Sequence, residues 1–139
     1  MKEVGNLTEK ELNSVREISR RIRDLEWRLQ TLRAEAENIV PVIDGLPHAT
    51  QIKSRVEKLA LNITDCDNEL INLREQFVNS ALELGNKIDN AKLNSQEKTV
   101  LSLRYVSCMN FQDIWLKLDT SDANIFYLHR TALKKILKN

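Results

Sequence analysis

Residues 15–39 read VREISRRIRDLEWRLQTLRAEAENI, and the apolar positions in this stretch decide the architecture. Val15, Ile18, Ile22, Leu25, Leu29, Leu32, Ala36 and Ile39 follow one another at steps of three and four without a break. This is the a/d rhythm of a coiled coil, and the Arg, Glu and Asp between those positions keep the other faces in water. Upstream, Thr8 and Glu11 form a capping box: the hydroxyl accepts from a free amide while the carboxylate reaches back to the cap. A helix of roughly 30 residues, about 45 Å long, is expected to follow.

Working outward, the stretch Val40 to Ala49 holds Pro41, Asp44, Gly45 and Pro47, which interrupt helical continuity and mark a connector. A second seam then opens with Ile52, Val56, Leu59, Ile63, Cys66, Leu70, Leu73, Phe77, Ser80 and Leu84, reaching toward Ile88. Two long helices joined by a short connector fold back most simply as an antiparallel hairpin. Trp27 falls off the first seam, and Ile71, Val78 and Leu82 make a second stripe on the second helix. Scattered surface apolar residues are one reading of these positions. The sharper reading is a second contact, either with the C-terminal helices or with another subunit in a four-helix arrangement.

From Leu93 the heptads stop and shorter helical segments with tight spacers take over. The expected organisation is therefore all-α, with a long hairpin over 1–92 for oligomerisation or partner binding and a three-helix unit over 93–139. Asn94 with Glu97 caps a helix running to about Val106, and Asn110 caps Phe111 to Leu118. Asp119 and Thr120 form a short spacer, and Ser121 caps a last helix to about Leu137. A short helix, a tight turn, a Ser cap and a longer helix outline a helix-turn-helix. The buried positions that such a unit needs, Ile114, Leu118, Ile125 and Leu128, are all apolar. A generic small helical bundle has the same outline.

On the last helix, Ile125, Leu128, Ala132 and Ile136 share one side, with His129 and Leu133 at its margins. The opposite side carries Ala123, Tyr127, Arg130 and Lys134, flanked by Asn124, Thr131 and Lys138. Small and polar side chains there can approach base edges while Arg and Lys pair with phosphates. The candidate DNA-binding residues are Ala123, Asn124, Tyr127, Arg130, Thr131 and Lys134. An ordinary solvated helix face has a similar composition.

The formal charge of +1 is unevenly spread. Residues 1–92 carry 14 Lys and Arg against 16 Asp and Glu, whereas 93–139 carry 7 against 4. The C-terminal excess permits DNA binding without demanding it. Cys66, Cys108, His48 and His129 show no metal-ligand spacing, so no metal or cofactor is expected and the thiols read as buried in a reducing cytosol. The N-terminus lacks an apolar signal core and no run of about 18 apolar residues could span a bilayer, which points to a cytoplasmic chain with no membrane partner. Two histidines, separated carboxylates and the lack of a nucleophile elbow or phosphate loop argue against an enzyme and a small-molecule substrate.

The run Leu101, Ser102, Leu103, Arg104, Tyr105, followed by Phe111, Gln112, Asp113, Ile114, then Ser121 and Ala132-Leu133, resembles the fourth region of bacterial sigma factors. The whole chain is similar to small phage and prophage transcription regulators of the ArpU and RinA type. The shared features are the heptad hairpin, the connector Gly45-Leu46-Pro47, the helix with Leu103-Arg104-Tyr105, and the pair Leu128-His129 before Ala132-Leu133. The resemblance implies a promoter-binding transcription regulator with double-stranded DNA as partner, host RNA polymerase as a further candidate, and a homo-oligomer made through the hairpin.

The chain departs from the sigma pattern at Trp115, which occupies the crossing of the two helices where a small residue is usual. An indole there is expected to force the helices apart or to turn outward. Asp119 replaces the usual Gly or Asn of the turn and tolerates a left-handed backbone. Asp122 suits the helix dipole yet repels a nearby phosphate. His129 reads as a packed, hydrogen-bonded histidine at the core edge, and Arg104 as a partner for DNA, for polymerase or for Asp113 within the chain. Two rival functions stand beside the regulator: a DNA-packaging adaptor resembling a small terminase subunit, and a helical protein-interaction module that never meets DNA.

Overall fold

The computed structural model describes residues 7–39 and 49–138. Helix α1 spans Glu9–Glu37 and α2 spans Ala49–Asp89. Helix α3 covers Ser95–Leu101 and runs into a π-helical turn, Ser102–Val106, before α4, Phe111–Lys117, and α5, Asp122–Ile136. The architecture is an all-α long hairpin followed by C-terminal helices. The connector around Pro41, Gly45, Pro47 and His48 lies outside the described residues. Among the described residues, no helix is long and apolar enough to cross a membrane.

Contacts group the chain into two compact units, one of them Arg20–Glu75 and the other running through Ser19 and resuming at Gln76. Within Arg20–Glu75, α1 contributes Leu25 and Leu29 to the buried seam and α2 contributes Leu59, Cys66, Leu70 and Leu73. Ile22, Leu32 and Ile63 line its edges half-buried, while Ala36 and Val56 stay exposed. Ion pairs flank the seam: Arg21 with Glu69 at 3.2 Å, Arg33 with Asp67 at 3.3 Å and Arg55 with Glu35 at 3.0 Å. With Glu26–Arg74 at 3.0 Å as a fourth, pairs early in α1 meet residues 69 and 74 of α2 and pairs late in α1 meet 67 and 55, as antiparallel pairing requires. These pairs are exposed, so each is worth at most about 1 kcal/mol and they set register more than stability.

The second unit packs the start of α1 and the end of α2 together with the C-terminal helices. Leu12 and Val15 from α1, Leu84 and Ile88 from α2, and Leu101, Tyr105, Ala132 and Ile136 share one core with Leu7. The Thr8 cap is made as expected: Glu11 N–H donates to Thr8 Oγ1 at 3.1 Å and Thr8 N–H donates to Glu11 Oε1 at 3.2 Å. The Lys87 ammonium, donating to Glu11 from α2, lowers the Glu11 carboxyl to a pKa of about 2, helped by the Thr8 amide. Ahead of α1, Leu7 N–H donates to Ile136 C=O at 3.1 Å and Lys138 N–H to Leu7 C=O at 2.7 Å, a short parallel bridge that ties Leu7 to the end of α5.

Glu97 carries the α3 capping box: its N–H donates to Asn94 Oδ1 at 2.8 Å and its Oε1 accepts from Asn94 N–H at 3.0 Å. The same carboxylate is buried and accepts from Lys135 Nζ of α5 at 3.0 Å. Burial pushes this carboxyl up, but the Asn94 amide and the Lys135 ammonium outweigh it and the net direction is down. A residue that the sequence marks only as a cap thus also locks α3 to α5.

Candidate nucleic-acid interface

The helix pair α4–α5 is assembled from local signals. Asn110 Oδ1 accepts from Asp113 N–H at 2.8 Å, and Ser121 Oγ accepts from Asn124 N–H at 3.1 Å, so each helix starts on its own side-chain cap. Between them the chain reverses through a left-handed residue, Asp119, at φ 51°. Thr120 N–H donates to Trp115 C=O at 3.1 Å and Asp119 N–H to Leu116 C=O at 3.3 Å. This is the Schellman pattern, with aspartate in the position that glycine usually holds.

The two helices meet on Ile114 and Ile125, both fully buried, and Val100 and Leu128 complete that cluster. Leu118 is half-buried at its edge. Trp115 does not enter the crossing. Its indole lies half-buried at the margin, edge-on to Phe126 with ring centroids 6.0 Å apart. Of the two outcomes expected for a bulky residue at this position, the side chain turns outward and α4 stays packed on α5.

The outer face of α5 is open. Ala123, Asn124, Tyr127, Arg130 and Lys134 are exposed and Thr131 is half-buried, so all six sequence-chosen residues lie along one helix on its solvent side. Asn124 is partly committed, since Nδ2 donates to Thr120 Oγ1 at 3.0 Å. Tyr127 is 57% exposed, which leaves its ring available to a partner.

Behind this face lies an aromatic and cationic cluster that the sequence hints at only through the Leu-His and Leu-Arg-Tyr pairs. His129 Nε2 sits 2.7 Å from Tyr105 Oη, the two rings stack at 5.7 Å, and Phe111 meets the imidazole edge-on at 5.0 Å. Burial, with the charge of Arg104 second, pushes His129 below its ordinary value. Burial also raises the Tyr105 hydroxyl, against the opposing pull of Arg104. The Arg104 guanidinium sits over Phe111, 4.1 Å from the ring centroid, and Nη1 donates to Met109 C=O at 3.1 Å. It makes no ion pair with Asp113. Arg16 reaches across to donate to Arg104 C=O at 3.4 Å.

The π-helical turn explains how Tyr105 reaches His129. One extra residue per turn at Ser102–Val106 rotates Tyr105 into the core, and Ser107 N–H donates to Ser102 C=O at 2.9 Å in the five-residue pattern. Cys108 then takes a left-handed conformation at φ 60° to leave the turn.

The family described as "Protein of unknown function (DUF1492)" matches residues 52–137, from the first turns of α2 through the end of α5. The chain belongs to this family. The matched span therefore contains the whole capped helix pair, the Tyr105–His129 contact and the outer face of α5. No curated protein and no solved structure matches the chain.

Proposed function

We propose that this member of the family is a phage- or prophage-encoded transcription regulator of the ArpU and RinA type, which binds promoter DNA through α5 and acts as a homo-oligomer through its hairpin. The observation that carries the reading is the α4–α5 pair: two side-chain caps, a left-handed turn and a sealed Ile114–Ile125 crossing hold α5 rigidly while its outer face stays open. Small residues near the start of that face, Ala123 and Asn124, suit approach to base edges, and Arg130 and Lys134 further along suit phosphates. Val78 and Leu82 remain exposed on α2, which supports a second subunit as their cover rather than the C-terminal helices. A pair of weak reading heads gains affinity when linked.

Selection of bound duplexes from a random pool tests the reading. Reproducible enrichment of one motif by the wild-type protein, lost when Arg130 and Lys134 are both changed to alanine, is the expected result. A pool that stays random would overturn it.

A second reading, a protein-interaction module, is favoured by the exposed Leu116 and Phe126 beside Trp115. The same selection separates the two, because a module that never meets DNA leaves the pool unchanged.

A further inference from the structure

The outer face of α5 does not end at Lys134. Beside it an open cavity of about 870 Å³ runs between the start of α1 and the C-terminal half of α5. Its walls are Thr8 and Glu9 on one side and His129, Arg130, Lys134 and Lys138 on the other, over a floor of Leu133 and Leu137. Three full cations therefore face one carboxylate. Arg130 and Lys134, four residues apart, stand in a row along the helix, and Lys138 follows just beyond its end, where its N–H donates to Leu7 C=O. None of the three forms an ion pair among the described residues. Behind His129, the Arg104 guanidinium over Phe111 adds positive charge that no carboxylate neutralises, and the adjoining Arg16 adds more.

By contrast the beginning of α5 is acidic, with Asp119 and Asp122 exposed beside the turn. A polyanion laid along α5 is repelled at that end and attracted at the other. The leucine floor gives no hydrogen bond, which suits the sugar edge of a strand whose charges lie at the rim.

We propose that this groove between Thr8–Glu9 and α5 holds the sugar-phosphate backbone of duplex DNA, with Lys138 as a phosphate contact beyond the base-reading face and Glu9 as an opposing charge that limits non-specific affinity. The assignment rests on the duplex-binding reading above and extends it to a second element, the start of α1. Backbone contacts of this kind carry affinity and salt dependence without sequence information.

The test is binding of the full chain to a labelled duplex of random sequence over a series of salt concentrations. Lys138→Gln lowers affinity several-fold and reduces the slope of log affinity against log salt by about 0.9. Glu9→Gln acts in the opposite direction and tightens binding several-fold. It leaves the α1 cap intact, because Glu11 supplies the capping carboxylate. Lys53→Gln, a charge removed from the exposed side of α2 within Arg20–Glu75, is the control and changes neither quantity. If the wild type binds while Lys138→Gln or Glu9→Gln behaves as Lys53→Gln does, the groove assignment falls and the duplex-binding reading stands. If the wild type binds no duplex, both fall.

Discussion

Arg20–Glu75 and the unit around α3, α4 and α5 are built from similar amphipathic helices, yet they bury their residues to different degrees. In the first, the buried side chains Leu25, Leu29, Leu59, Cys66, Leu70 and Leu73 keep 2 to 7% of their surface, because two helices cover each other on one side only. In the second, Val15, Ile88, Val100, Leu101, Ile114, Ile125 and Ala132 are wholly removed from solvent. Polar groups follow the same division. The pairs along the hairpin are exposed, whereas Glu97 and the Tyr105–His129 contact are drawn into the packed unit. A heptad seam is enough to pair two helices, but holding a helix face at fixed geometry takes a core closed on several sides.

The contrast can be broken most directly at the Ile114–Ile125 crossing. Ile114→Ala is expected to cost about 3 to 5 kcal/mol and to loosen α4 from α5, against about 2 kcal/mol for Leu59→Ala within Arg20–Glu75. Urea denaturation with hydrogen exchange of α5 amides measures both, and equal losses would erase the distinction.

Next in size is Glu97→Gln, which leaves the Lys135 ammonium without its carboxylate and weakens the α3 cap. We expect about 2 kcal/mol, read as a shift of the denaturation midpoint. The same carboxylate sharpens the comparison through pH. Its folded pKa lies below the ordinary 4.5, so its contribution is complete above that value and is lost as pH falls through the lower folded value. Glu11 follows the same sign, with its contribution lost between 4.5 and about 2. Carboxyl titration by NMR should place both below the ordinary glutamate value of 4.5. A normal value for Glu97 would mean that the contact with Lys135 is not held in solution.

The smallest effect is expected within Arg20–Glu75. Arg33→Ala removes the exposed pair with Asp67 and should cost less than about 1 kcal/mol, with part of that disappearing in high salt. A larger loss would show the flanking pairs to be structural rather than register marks.

What could be read in advance follows the range of the interaction. The caps at Thr8, Asn94, Asn110 and Ser121 and the turn at Asp119 are decided within a few residues, and each stands where its residue type placed it. The seams were readable because period alone specifies a face. The π-helical turn at Ser102–Val106 and the left-handed Cys108 were not, since both answer to a distant demand, the placing of Tyr105 against His129. Glu97 is a capping residue by its neighbours, and only the arrival of Lys135 from α5, far along the chain, makes it a buried one. Trp115 was ambiguous for the same reason: whether an indole fills a crossing or leaves it depends on Phe126 being there to receive it. The face of α5 is the candidate site most fully legible in the sequence, and the groove beside it the least, because one wall comes from residues 8 and 9.

The central claim is that this open face reads duplex DNA. It is tested most directly by measuring affinity against salt for a duplex recovered from the random pool, comparing wild type with the Arg130→Ala, Lys134→Ala double variant. Loss of two phosphate contacts predicts binding weakened by about ten-fold or more and a slope reduced by roughly 1.8. A double variant that keeps both the affinity and the slope of the wild type would contradict the account.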